Sequence, residues 1–148
     1  MSAEDRTRVL PETIQRFLAK SKVAGICFRE QDRLHAVNCL FAHDPVHNLL
    51  VMKSAEGSGH DAFVYSGDAV AGTILPDMIS VSGLHGLQFG GFTVPRGSVR
   101  SYGSDRLYHQ KFPFTRYLPG YTWAISLSFV KFTDNRVRFG QKLIWGSR

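Results

Sequence analysis

The stretch from Trp123 to Trp145 constrains the fold of this chain more than any other. Trp123, Ile125, Leu127 and Phe129 alternate with Ala124, Ser126 and Ser128. That period of two puts one set of side chains on one face of a β-strand. Thr133-Asp134-Asn135-Arg136 supplies a polar turn, and Val137, Phe139, Leu143 and Trp145 resume the alternation, with Gln141 the polar exception. The stretch reads as a β-hairpin.

The rest of the chain supplies further strands. Val23 to Arg29 and Leu34 to Phe41 form a hairpin about Glu30-Gln31-Asp32-Arg33, whose polar residues suit a turn. Asn48 to Ser54 carries the unbroken run Leu49-Leu50-Val51-Met52, which predicts a strand buried on both faces or at a subunit contact. Ala69 to Leu75 is stopped by Pro76-Asp77. In the strand from Leu84 to Val94, Gly86, Gly90 and Gly91 predict bulges or close backbone approach.

Helices are short. One runs from Pro11 to Lys20, with Pro11 in its first turn and Leu10, Ile14, Phe17 and Leu18 on one stripe. A second follows the turn Glu56-Gly57-Ser58-Gly59 and covers His60 to Tyr65. A third starts at Ser104 as N-cap and ends at Phe112, before Pro113.

Strands with only short helices predict a mainly β fold, closed into a barrel or sandwich so that edges are covered. No repeat or linker interrupts the chain, so residues 1–148 are expected to form one domain. An apolar content of 43% argues for a packed core, and no apolar run approaches the roughly 20 residues of a membrane span. Met1-Ser2-Ala3-Glu4-Asp5 is acidic and polar, unlike a signal peptide, so a cytoplasmic protein is expected. Cys27 and Cys39, on adjacent strands, are expected to be reduced core thiols.

The formal charge of +6 is unevenly placed. Residues 1–75 carry a net of −1 and residues 76–148 a net of +7. That asymmetry favours an anionic partner, either a phosphorylated small molecule or nucleic acid. Arg96, Arg100, Arg106, Lys111 and Arg116 interleave with Tyr102, Tyr108, Phe112, Phe114 and Tyr117, a composition that single-stranded nucleic acid could use. The spacing matches no RNA-recognition or zinc-finger signature, which disfavours that reading.

Gly57-Ser58-Gly59-His60-Asp61-Ala62 matches G-x-G-x-x-A, with Asp77 near the distance expected of a ribose carboxylate. A dinucleotide fold needs further βα units, and this chain continues into antiparallel strands. What survives is the physics of a glycine turn before a helix, whose free N–H groups face an anion. Ser58 adds a hydroxyl there, and Lys53 and His60 add positive charge.

His43 and His47 have ligand-like spacing, but Pro45 opposes the helix that would align them. The remaining histidines, His35, His60, His85 and His109, are scattered, and no metal site is expected. No G-x-S-x-G elbow occurs, and neither cysteine has an adjacent histidine. No catalytic residue can be named.

Lys131-Phe132-Thr133-Asp134-Asn135, followed by Phe139-Gly140-x-Lys142-x-Ile144-Trp145, resembles the ending of the YhbP-like family, a branch of the pyridoxamine-phosphate-oxidase-like FMN-binding split barrels. Phe17-Leu18-Ala19-Lys20, Val70-Ala71-Gly72-Thr73 and Gly86-Leu87-Gln88-Phe89-x-Gly91 resemble it in the same order, so the likeness spans nearly the whole chain.

The resemblance implies a six-stranded antiparallel split β-barrel, usually a homodimer, with FMN at the dimer interface. It implies an isoalloxazine ring along the second strand, here His35 to Leu40 and so Ala36, Val37 and Asn38. The phosphate would sit near Met52, Lys53, Ser54, Ser58, Gly59 and His60. One departure stands out: the superfamily commonly has an arginine or lysine pair after the serine of this turn, where this chain has Gly59 and His60. The implied function is a flavoprotein, either an FMN-dependent oxidoreductase or a binding module without turnover.

Overall fold

In a computed structural model, which describes residues 8–59, 61, 63–136 and 140–148, the chain is built on one antiparallel sheet. Helix α1 (Glu12–Lys20) precedes strands β1 (Val23–Glu30), β2 (Arg33–Asp44), β3 (Leu49–Ser54), β4 (Ala69–Ile74) and β5 (His85–Thr93). Helices α2 (Ser98–Ser101) and α3 (Ser104–Lys111) follow, and then β6 (Tyr121–Asp134) and β7 (Gln141–Gly146). The strand order is β3-β2-β1-β4-β5-β6-β7, and β3 also pairs with β6. That extra pairing closes β1 to β6 into a six-stranded barrel, and β7 pairs with β6 beyond the part that β3 covers, adding Trp145 to the core.

Why the barrel closes at β3 follows from its sequence. Leu50 and Met52 point into the barrel core with Ile26, Phe41, Trp123 and Ile125. Leu49 and Val51 point the other way, into a second cluster with Val99, Tyr108 and Phe112 of α2 and α3. The unbroken apolar run thus predicts correctly a strand buried on both faces.

Closure is only partial along β2. It pairs with β1 over its first eight residues, Arg33 to Leu40, but with β3 only from Phe41 to Asp44. The second edge of residues 33–40 carries no strand among the described residues, and this is the split in the barrel.

Four local expectations need correction. Gly103, in the left-handed region, occupies the N-cap position of α3, and Ser104, fully buried, instead donates its hydroxyl to Asp44 at 2.5 Å. The helix expected from His60 to Tyr65 is absent from its described residues. Asp61 and residues 63–65 form turns, because Phe63 and Val64 are pulled into the core at 3% and 0% exposure.

The remaining two concern side-chain phase. Ala24, Ile26 and Phe28 face the core, so Cys27 between them faces out and is exposed, whereas Cys39 is buried. The two thiols lie on opposite faces of the sheet and both are free.

In β6, the register against β5 slips between Gly90 and Gly91. Trp123, Ile125 and Leu127 point inward as expected, but after the slip Val130 and Phe132 take over. Phe129 turns outward, beneath the Arg148 guanidinium at 4.8 Å. Val137 and Phe139 lie outside the described residues.

Candidate functional site

The loop after β3 is held against the open half of β2 by aromatic stacking. Phe28 of β1 stacks with His35 of β2 at 5.1 Å and also with Phe63 of the loop. Phe63 also meets Trp123 edge-on at 5.6 Å. The loop therefore seals the barrel end next to residues 35–38 and gives the split a floor.

The structure sorts the residues expected at a flavin site by strand parity. Ala36 and Asn38 are exposed on the outer face of β2, whereas Val37 packs against the core. Gly25 lies beside Asn38, where a Cβ would meet Asn38 Oδ1 and Thr73 Oγ1 at 3.5 Å. This patch is built of small, uncharged side chains with the Lys22–Asp77 ion pair at its edge, a surface on which a planar ring can lie.

Met52 is wholly buried in the barrel and Ser54 is nearly so. The Ser54 hydroxyl accepts a hydrogen bond from Trp123 Nε1 at 2.9 Å. These two side chains shape the floor without facing a ligand outside the barrel.

Lys53 leaves on the opposite side. Its Nζ donates to the Thr115 carbonyl at 2.8 Å and stands 3.3 Å from His109 Nε2. Burial pushes the His109 pKa down, and the neighbouring Lys53 adds to that. Lys53 thus ties β3 to the 3₁₀ turn Pro113–Tyr117 and is directed away from Ser58.

Ser58 and Gly59 lie in an exposed turn; Gly57 and Gly59 have φ of +74° and +85°, which glycine alone adopts at no steric cost. His60 lies outside the described residues. No helix follows the turn among the described residues, so the helix dipole expected to help an anion is missing.

Sequence reasoning overlooked Asp61 and Tyr121 here. The Asp61 carboxylate accepts the Gly57 N–H at 3.1 Å through Oδ2, and its Oδ1 accepts the Tyr121 hydroxyl. Ser58 in turn hydrogen-bonds Tyr121. Burial and the adjacent Asp61 carboxylate raise the Tyr121 pKa well above the phenol range. Tyr121 carried a signal that parity could have found: it opens β6 directly opposite Ser54. Asp61 carried none, since its position depends on the turn.

A second polar cluster lies at the far end of the β2–β3 hairpin. Buried Asp44 accepts backbone N–H groups of Val46 and His47, His47 Nδ1 at 2.8 Å and the Ser104 hydroxyl. It closes the turn and docks α3. Among the described residues, no three His, Cys, Asp or Glu side chains gather as a metal ligand set.

No family model matches the chain. The UPF0306 protein YhbP of Escherichia coli O139:H28 is 32% identical over 133 residues, covering 90% of both chains. The chain belongs to the UPF0306 family of YhbP proteins.

The YhbP-family barrel shares its fold with solved structures of low sequence identity. A FAD binding protein from Mycobacterium smegmatis superposes with a TM-score of 0.64 at 12% identity, over 95% of this chain and all of that one. A heme binding protein from the same organism gives 0.71 at 11% identity, over 94% and 60%. A Clostridium acetobutylicum protein of the pyridoxinephosphate oxidase family, related to general stress protein 26, gives 0.57 at 10%, over 93% and 96%. No described helix is long and apolar enough to cross a membrane.

Proposed function

We propose that this YhbP-family protein binds a flavin in the split of its barrel, with the ring over Ala36 and Asn38 and the ribityl chain running toward Ser58 and Gly59. The observation that carries the reading is the half-open β2. Along residues 33–40 no strand among the described residues covers its second edge, beside a small-residue face. A planar heterocycle with donors and acceptors on its rim suits that combination. The FAD and heme binding neighbours share the barrel, which supports a large planar ligand.

The residues fit a flavin ring better than they fit the phosphate of FMN. Lys53 is committed to Thr115, and a carboxylate stands in the turn where the phosphate was expected. When bound, the flavin supplies two-electron redox chemistry. The protein's own part is orientation: small side chains that admit the ring, and exclusion of water from the face laid on the sheet. Oxidoreductase activity and simple carriage are both compatible with such a site.

A homodimer would complete it. The outer faces of β1, β2, β4 and β5 are exposed and apolar, with Val23, Leu34, Ala36, Ala71 and Phe92 uncovered. A second copy laid there would cover the ring's open side.

Flavin titration followed by fluorescence quenching tests the reading. Saturable uptake of one flavin per chain is expected, and weakening by Asn38→Asp through charge beside the ring. Absence of uptake with every flavin tried would overturn it. Bleaching of the bound flavin by NADH or NADPH, reversed by air, would identify an enzyme rather than a carrier.

Nucleic-acid binding has lost ground. Tyr108 and Phe112 are core residues at 3% and 6% exposure, and Lys111 points inward onto the carbonyls of Leu18 and Ser21. The basic, aromatic strip is interrupted at its centre.

A further inference from the structure

Resting on the flavin reading, we infer that Asp61 is the determinant that sets which flavin this chain takes: its carboxylate fills the turn's anion position and selects an uncharged, hydroxyl-ended ribityl chain over a phosphorylated one.

The turn has the features of an anion cradle. Two glycines in the left-handed region bend the chain here; the Ser58 N–H goes to the Ala55 carbonyl, and the Gly57 N–H meets a negative group. That group is the chain's own carboxylate. Asp61 Oδ2 takes the Gly57 N–H at 3.1 Å, and Oδ1 takes the Tyr121 hydroxyl.

Tyr121 is itself pinned. It pairs with Ser54 in the β3–β6 register and meets Tyr65 at 5.7 Å between ring centroids. Tyr65 hydrogen-bonds the Thr122 carbonyl at 3.4 Å and lies under the Arg96 guanidinium at 5.3 Å. Asp61 is therefore held by a chain of contacts that ends in the barrel wall.

A phosphate entering here would have to evict that carboxylate, breaking two hydrogen bonds, or sit beside it as a like charge. Lys53, one of the cations expected to meet the phosphate, is bonded to Thr115 on the other face. A neutral hydroxyl meets the opposite situation. It can donate to the carboxylate's remaining lone pairs, which leaves the bonds among Gly57, Ser58, Asp61 and Tyr121 in place. Charge and hydrogen-bonding capacity thus favour riboflavin over FMN and FAD.

The test is a paired titration of the wild type, Asp61→Asn and Tyr121→Phe with riboflavin, FMN and FAD. Inorganic phosphate is added separately in thermal-shift measurements. For the wild type, riboflavin is expected to bind at least tenfold tighter than FMN, with no stabilisation by millimolar phosphate. Asp61→Asn, nearly isosteric and exposed, should gain about tenfold or more for FMN, leave riboflavin within about threefold, and become stabilised by phosphate.

Tyr121→Phe keeps the carboxylate and should still discriminate against FMN. The inference fails if wild type prefers FMN, or if Asp61→Asn changes neither FMN affinity nor phosphate response. Failure of all proteins to bind any flavin would overturn the functional reading instead. The phosphate arm would still decide whether Asp61 fills an anion site.

Discussion

His43 shows how one buried side chain links the fold to pH. It sits on β2 with its Nε2 buried and without a hydrogen-bond partner, and burial pushes its pKa down to about 4. The adjacent Asp44 pulls it back up and Lys111 pushes it further down. The folded protein keeps this imidazole neutral, whereas the unfolded chain takes up a proton near the ordinary value of 6.5. The stability it permits is therefore full above about pH 6.5 and lost as pH falls toward 4. The loss is on the order of 3 kcal/mol at the acid end. Urea denaturation at pH 7 and pH 4.5 should show His43→Leu losing less stability over that interval than wild type. An equal loss in both proteins would assign the acid sensitivity elsewhere.

At the scale of elements, the bulge between β5 and β6 sets which side chains the barrel receives. A Cβ at Gly91 would lie 2.3 Å from the Ser126 carbonyl oxygen and 2.8 Å from Ile125 Cγ2, both fixed parts of the wall. Gly91→Ala is expected to cost more than about 2 kcal/mol in denaturant unfolding. Gly57→Ala meets nothing within 4 Å, so it should cost only the roughly 1 kcal/mol of a left-handed alanine. Similar losses in the two variants would contradict this account of the bulge.

The bulge itself was legible in Gly90 and Gly91, but its effect on the facing strand was not. Alternation from Trp123 to Leu127 could be read directly, because a strand's parity is local. The outward turn of Phe129 could not, since the slip is created by two glycines on the neighbouring strand. Ala36 and Asn38 were legible as outward residues of β2, but the diversion of Lys53 depends on Thr115, 62 residues later in the chain. Likewise, the turns at 61 and 63–65 replace a helix because Phe63 finds a place against Phe28 and Trp123. Tertiary contacts decided each of these.

Across the whole molecule, three cations of the basic half are committed to contacts within the chain. Arg96 covers Tyr65, Lys111 clamps the end of α1, and Arg136 is paired with Asp134 at 2.8 Å. The broad exposed surface is instead the outer sheet of β1, β2, β4 and β5. Its centre is a groove of about 430 Å³ lined by Cys27, Ala71, Gly90, Phe92 and Phe129. Sedimentation of wild type and Ala71→Arg should distinguish the proposed dimer from a monomer. A charged, long side chain at that centre is expected to shift the weight-average mass toward that of one chain. Equal masses for both proteins would remove this face as the contact.

The β3–β6 pairing has a kinetic consequence. It joins Leu50 to Ile125, partners separated by half the chain, whereas β1 with β2 and β6 with β7 are neighbours that can zip locally. Closing so long a loop costs entropy before any contact repays it. The barrel should therefore assemble as two hairpin halves and shut last along this seam. In stopped-flow refolding, Leu50→Ala is expected to accelerate unfolding far more than it slows folding. The strand that makes the barrel a closed surface would then also be the one through which it first comes open.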